Sequence, residues 1–349
     1  MKVVKVNVSK RYEVIIGRNI MQMLPEKIKE ISANAKVMLV SDMNVFRLHY
    51  KKVRKILDKN GIETECYIFP AGEKSKNAEV LSDLLDRLKE KKFTSSDIIL
   101  ALGGGVTMDL AGLAGASYKN GVGVIQMPTT LLSAVDSSVG GKSAVNLSES
   151  KNLAGVFDHP EVVLCDTAFL DTLPENVFAD GMAEVIRYSV IADETLFEKV
   201  KKGNVKDDIE NIIARCVEIK RDFITDDEFD KGRRQKLSFG NTFGRAVEKL
   251  SNFSLSHGTT VALGMTKAAE FSYKGRIFPR DLTEQIELAC RNNNLNTSCP
   301  YSLKDLAEYI CKDKQSDVGS INFIAPKNIG LCDIVKLSAD KFSDMLENL

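Results

Sequence analysis

The sequence predicts an α/β protein in two parts: an N-terminal parallel-sheet domain over residues 1–171, then a mainly helical domain over residues 172–349. Three observations predict it. Strand-like and helix-like segments alternate through the first half, the pattern that places helices on both faces of a parallel sheet. One of those strands, residues 97–102, breaks into Gly103, Gly104 and Gly105 just before an apolar helical segment, residues 106–116. After Thr172-Leu173-Pro174, long segments with a 3.6-residue apolar period dominate.

Taken in order, residues 2–8 and 12–17 have β-type content, 20–31 are helical, and 36–41 form a buried strand ending at Ser41-Asp42-Met43-Asn44. A helix over 45–59 stops at Asn60-Gly61, a C-terminal signal. Strand 64–69, helix 76–91, the central strand and turn, a second central strand closed by Pro128, and strand 161–166 complete the half. In such a sheet ligands sit at the carboxyl ends of the strands. That places the functional loops at 42–44, 72–76, 103–106 and 128–130. The second half reads as helices over 177–191, 205–225, 234–250, 257–271, 282–293 and 302–311. A hairpin, 320–325 and 330–335, turns at Pro326-Lys327-Asn328 before a last helix, 339–346. No repeat, low-complexity segment or flexible linker interrupts the chain.

With 349 residues, 44% hydrophobic and 28% charged, the chain can bury two cores. Lysine plus arginine equals aspartate plus glutamate at 48 each, which gives no net field for nucleic acid or an anionic membrane, so any anion site must be local. Seven cysteines show no C-x-x-C pair, and MKVVKVNVSK lacks a signal peptide's apolar core; reduced thiols and a cytoplasmic location are expected. The apolar run 98–117 carries Asp109 and several glycines and is rejected as a membrane span.

Strand, glycine turn, helix presents bare backbone N–H groups at a helix N-terminus, where the helix dipole suits a phosphate and a nucleotide pyrophosphate is the natural guest. GGGV is less than a full dinucleotide fingerprint, and a tight structural turn explains it equally well. Asp42, after a buried strand, either accepts from a ribose or caps the following helix, the spacing favouring the cap. Asp136 and Lys142, six residues apart around Gly140-Gly141, put a carboxylate and an ammonium in one loop.

The runs GEKSKN, GGGVTMDLAG, MPTTLL, VDSSVGGKSAVN and GMAEVIRY together resemble 3-dehydroquinate synthase and the related sugar phosphate cyclases over nearly the whole chain. The resemblance implies a nucleotide-binding domain followed by a helical, metal-binding one. It implies NAD held by Asp42, Asn44, Glu73, Lys76, Gly104, Gly105, Val106, Asp109, Thr129, Thr130 and Thr172. It also implies a phosphorylated sugar-acid substrate met by Asp136, Lys142, Lys151, Asn152, Arg187, Lys220, Arg234 and Arg245, with Lys314 a weaker match. The implied reaction is a lyase step of the shikimate pathway of aromatic amino acid biosynthesis. NAD takes a hydride from a carbinol, phosphate is eliminated, the hydride returns, and an intramolecular aldol closes a carbocycle. A metal polarises the oxygen concerned. The family is commonly dimeric, so a homodimer is expected.

Departures cluster at the metal. The matching ligand positions are Glu184, Asn241 and His257, where the family has Glu, His and His. A neutral amide suits zinc poorly, so either weak zinc or a harder ion such as Mn²⁺ or Mg²⁺ is expected, and Asn241→His is expected to raise zinc affinity by about 10 to 100-fold. Asn120 stands where the family has a phosphate-facing Arg, Arg187 where it has Lys, Ser238 for Asn, Arg245 for His and Thr259 for an acid. Arg245 either replaces the cation lost at Asn120 or pairs with Glu248 on its own helix. An active cyclase is the leading expectation. A cyclase or dehydrogenase with another substrate, and a non-catalytic NAD-binding homologue, are the alternatives.

Overall fold

In the computed structural model all residues are described except 148–149, 315–319 and 348–349. The chain divides into two compact units, Met1–Pro174 and Glu175–Leu349. Thr172, the first residue of the expected helical part, falls in the first unit.

The first unit carries strands β1 (Lys2–Asn7), β2 (Arg11–Gly17), β3 (Val37–Asp42), β4 (Thr64–Phe69), β5 (Ile98–Gly103), β6 (Gly123–Pro128), β7 (Lys142–Leu147), β8 (Ser150–Phe157) and β9 (Val162–Asp166). Its helices are α1 (Leu24–Ile31), α2 (Met43–Lys59), α3 (Ala78–Glu90) and α4 (Gly105–Ser117). Among the described residues one seven-stranded sheet has the order β1-β2-β9-β6-β5-β3-β4. Only the β1–β2 pairing is antiparallel; β2–β9, β9–β6, β6–β5, β5–β3 and β3–β4 are parallel.

Side chains of the parallel strands alternate between two cores. Val37, Leu39, Ile98, Leu100 and Leu102 face α1 and α2 through Leu24, Ile28, Val53 and Leu57. Met38, Val40, Ile99 and Ala101 face α3 and α4 through Leu84, Leu88, Met108 and Ala111. Every residue of β5 is buried, and this explains an apolar run with no polar face. The parallel strands end at one edge, which collects Asp42, the glycines after Leu102, and Thr129.

The sequence reading missed the β7–β8 hairpin, an antiparallel pair from Lys142↔Phe157 to Leu147↔Ser150. Its alternation, with Ser143 and Val145 buried and Lys142 exposed, spans too few residues to stand out beside the glycine-rich loop before it.

The second unit holds α5 (Glu175–Ala192), α6 (Glu194–Val200), α7 (Ile209–Asp226), α8 (Asn241–Leu250), α9 (His257–Lys274), α10 (Thr283–Asn292), α11 (Leu303–Lys314), the hairpin β10 (Ser320–Asn328) and β11 (Leu331–Ser338), and α12 (Ala339–Glu347). Phe243, Phe271, Phe323 and Phe342 meet in its core, with ring centroids 4.9 Å apart for Phe271–Phe342 and 5.1 Å for Phe271–Phe323. The helix expected over 234–250 is two pieces: a 3₁₀ segment, Arg233–Ser238, and α8. Gly240 separates them at φ 84°, where a β-carbon would lie 2.7 Å from the Met265 backbone nitrogen. A left-handed conformation and that close approach both require glycine.

Candidate active site

In the first unit β5 delivers the chain to Gly104, which precedes α4 with no side-chain cap, and no acidic residue stands in that helix's first turn. None of Gly103, Gly104 and Gly105 has positive φ. Space, and not backbone strain, makes them glycine. A β-carbon on Gly103 would strike Thr107 Oγ1 at 2.2 Å, one on Gly105 would lie 2.9 Å from Ser137 Oγ, and one on Gly104 would lie 3.3 Å from Thr130 Cγ2. Thr129 donates its backbone N–H to Gly103 O at 2.8 Å. Its buried hydroxyl, like that of Thr107, has no hydrogen-bond partner among the described residues. Thr130 Oγ1 instead bonds Ser133 Oγ at 2.8 Å and accepts from Ser133 N at 3.1 Å, anchoring the π-type turn Ser133–Ser137 that carries Asp136. An uncapped, acid-free helix start with orphaned hydroxyls beside it fits a dinucleotide pyrophosphate.

The remaining expected cofactor residues divide into a bonded cluster and separate positions. Lys76, 6% exposed, binds Asp109 and donates to Asn152 Oδ1 at 2.5 Å. Burial pushes the Asp109 carboxyl up to about 6, opposed by the Lys76 ammonium and reinforced by Glu73 and Asp136. Asn146, which the sequence reading did not single out, ties this cluster together. Its Nδ2 donates to Glu73 Oε1 and its Oδ1 accepts from Asn152 N, both at 2.9 Å, while its own N–H donates to Lys76 O at 2.9 Å. The signal was its place at the end of the VDSSVGGKSAVN run. Lys142 and Lys151 are exposed on the same hairpin, Lys142 Nζ standing 5.7 Å from the Phe157 ring centroid.

Asp42 caps α2, its Oδ1 accepting from Asn44 N at 2.9 Å and Val45 N at 3.2 Å. The cap reading describes that oxygen, and the second carboxylate oxygen is the one that could face a ribose. Thr172 Oγ1 donates to Phe169 O at 2.8 Å and contacts His49 Nε2 at 3.1 Å. Burial holds His49 below its ordinary pKa. Val106 is half-buried in the first turn of α4.

In the second unit three helices bring the expected metal residues together. Glu184 and Arg187 are three apart on α5 and therefore share a face. His257 and Asn241 are the first residues of α9 and α8. The α9 start is pressed onto α5: Ser256 Oγ donates to Asp180 Oδ1 at 2.6 Å, Gly258 N to the same oxygen at 3.1 Å, and a β-carbon on Gly258 would lie 2.4 Å from Asp180 Cα. Glu184 Oε1 lies 3.1 Å from His257 Nε2, and Glu184 Oε2 lies 3.1 Å from Arg187 Nη1. Arg187 Nη2 donates to Asn241 Oδ1 at 2.9 Å.

These residues do not fit a divalent metal. Among the described residues no group of three or more His, Cys, Asp or Glu side chains is gathered to hold one, and one Glu184 oxygen and the Asn241 amide oxygen already face a guanidinium.

Lys220 is buried on α7, and Arg234 is buried after a turn built by Asp227. Burial pushes Asp227 up, but backbone N–H bonds from Lys231, Gly232 and Arg234 outweigh it and the carboxyl ends below its ordinary range. Arg234 also donates to Glu228 O. Arg245 is exposed on α8, and its side chain forms neither a bond to Glu248 nor any other hydrogen bond or ion pair among the described residues. Lys314 ends α11, and its side chain lies outside the described ones.

Known proteins share this fold. The family model for the 3-dehydroquinate synthase N-terminal domain matches residues 66–180, and that for the C-terminal domain matches 181–316. A 3-dehydroquinate synthase of Clostridium perfringens (strain 13 / Type A) is 40% identical over 337 residues, covering 95% of this chain and 96% of the relative. Among solved structures, 2-deoxy-scyllo-inosose synthase complexed with carbaglucose-6-phosphate, NAD+ and Co2+ superposes with a TM-score of 0.87 at 21% identity, over 99% of both chains. The 2-epi-5-epi-valiolone synthase from Streptomyces hygroscopicus subsp. jinggangensis 5008, with NAD+ and Zn2+ bound, gives 0.87 at 21%, over 99% of this chain and 98% of its own. No helix among the described residues is long and apolar enough to cross a membrane. With both family models matched along the chain and a relative this similar over nearly its full length, the chain belongs to the 3-dehydroquinate synthase family.

Proposed function

We propose that the chain is an NAD-dependent sugar phosphate cyclase of the 3-dehydroquinate synthase type, acting on a heptulosonate phosphate. The observation that carries the proposal is the uncapped, acid-free start of α4 beside the orphaned Thr129 hydroxyl. NAD+ in two solved relatives of the same fold supports the choice of ligand. When bound, NAD supplies reversible hydride acceptance. The amides of Gly105 and Val106 and the Thr129 hydroxyl would hold its pyrophosphate, and Asp42, still capping α2 through one oxygen, would offer the other to a ribose. Lys76 is committed to Asp109 and Asn152, so its work is to orient the β7–β8 hairpin, which presents Lys142 and Lys151 as cations for the substrate's carboxylate and phosphate. Elimination of phosphate leaves a dianion that those ammonium groups stabilise as it departs.

The test is inorganic phosphate release from the heptulosonate phosphate with and without added NAD, paired with calorimetry of NAD binding. NAD-dependent release is expected. Absence of both binding heat and a melting shift with NAD would overturn the cofactor assignment and the proposal with it. A second reading, a non-catalytic NAD-binding homologue, is favoured by one observation, the guanidinium among the expected metal ligands; it requires NAD binding without phosphate release.

A further inference from the structure

We infer that the Arg187 guanidinium occupies the place of the divalent metal, so that the pocket of Glu184, Asn241 and His257 is closed by a resident organic cation and excludes metal ions. The inference stands on the second unit's own geometry and does not depend on the proposed reaction. Glu184 and Arg187 side chains are 2% and 6% exposed, and their 3.1 Å contact is a buried, neutralised ion pair. One Glu184 oxygen faces that guanidinium and the other faces His257 Nε2. The 3.1 Å contact between His257 Nε2 and the Glu184 carboxylate is a hydrogen bond in the tautomer that carries its proton on Nε2. In that tautomer His257 turns a donor, and not a lone pair, toward Glu184. The Asn241 amide oxygen, the one acceptor that side chain has, accepts from Arg187 at 2.9 Å.

A metal ion shared by Glu184 and Asn241 must lie about 2.0–2.6 Å from their oxygens. Those oxygens lie 2.9 and 3.1 Å from Arg187 nitrogens, so the ion would press against a fixed positive charge that is buried with Glu184, although His257 beside them is 49% exposed. A lysine in that position could shed its proton to make room; an arginine cannot. Arg187 has little scope to swing away, because Nη1 also donates to Leu237 O at 3.4 Å and the side chain is packed where α5 meets the segment leading into α8. Its Nε–H is buried without a partner among the described residues, a cost the ion pair and the fork to Asn241 must outweigh.

The experiment begins with elemental analysis of the unmodified protein purified without chelator, followed by titration with Co²⁺ monitored by visible absorption. Metal well below one equivalent and no ligand-field bands are expected. Stoichiometric metal, or cobalt bands that disappear in Glu184→Gln, would overturn the inference. The double variant Arg187→Met, Asn241→His supplies the converse, since it removes the cation and restores a nitrogen ligand. It is expected to bind Co²⁺ at least about 10-fold more tightly than the unmodified protein. A folded double variant that gains no affinity would show that the guanidinium is not what keeps metal out. If that variant does not fold, the unmodified protein's metal content decides the matter alone.

Discussion

Replacing Lys76 with methionine tests the buried cluster through its pH dependence. The Asp109 carboxyl sits at about 6 in the folded protein against an ordinary value of 3.8. A raised carboxyl favours folding when protonated. That contribution is complete below 3.8 and is lost as pH rises through about 6. Near pH 5 Asp109 is largely protonated, and losing Lys76 removes hydrogen bonds but little charge attraction. Near pH 8 it is ionised and paired, and the variant strands a carboxylate in a site where only 16% of its side chain is exposed. Its cheapest response is to take up a proton. Over the two units between about 6 and 8 that costs up to about 2.7 kcal/mol, at about 1.36 kcal/mol per unit. Removing one partner of a buried pair costs about 3–5 kcal/mol in all, leaving about 0.3–2.3 kcal/mol for pH 5. Because the chain has no tryptophan, urea unfolding followed by far-ultraviolet circular dichroism is the assay. Equal destabilisation at both pH values, or a larger loss at pH 5, would refute the assignment of Asp109 as a buried carboxyl held ionised by Lys76.

Three further outcomes are expected. Gly104→Val should abolish the calorimetric NAD signal while leaving melting without NAD nearly unchanged, because the β-carbon meets only the Thr130 side chain, Cγ2 at 3.3 Å and Oγ1 at 3.7 Å, and the rest of the side chain covers the turn; NAD binding at unmodified strength would remove the turn from the cofactor site. Gly264→Ala should cost at least about 1–3 kcal/mol, seen as a lowered melting temperature, since its β-carbon would lie 2.3 Å from Gly240 O and 2.8 Å from Gly244 N. Asn241→His alone should leave zinc affinity unchanged in calorimetry, contrary to what the residue type suggests, because Arg187 still fills the pocket; a gain of 10-fold or more would count against the guanidinium.

The parts of the fold that depend on local pattern were legible. Residues 64–69 were read as a strand and are β4, and the strand, turn and helix of β5 and α4 follow from an apolar run ending in three glycines. What escaped depends on contacts made elsewhere. Periodicity ran through residues 234–250 because both flanks are amphipathic, but the approach of Met265 to Gly240 breaks the helix there. The short α6 begins at an Asp193 cap whose carboxylate also binds Arg215 of α7, a pairing no local window contains. At the cofactor site the glycines announced themselves, whereas Asn146 did not, because its role arises only when β7 runs beside Lys76 and Asn77.

The changes at the expected metal site also alter in meaning once they are placed in space. Along the chain, Asn241 is a weak ligand and Arg187 an unrelated exchange of one cation for another. In the fold they are donor and acceptor at 2.9 Å, and each accounts for the other. A guanidinium beside Glu184 needs a second acceptor for its fork. An amide oxygen supplies one without charge. A histidine at 241 would offer a single ring nitrogen as acceptor, and only while neutral; protonated, it would put a second cation beside Arg187. Conversely, Asn241 without Arg187 would leave Glu184, 2% exposed, with His257 as its one side-chain polar contact among the described residues. A buried carboxylate in that setting either takes up a proton or recruits a cation from solution. The pair therefore makes a closed arrangement that neither residue makes alone. Loss of a ligand by drift would leave Glu184 short of positive charge, whereas this chain supplies that charge from its own backbone position three residues along α5.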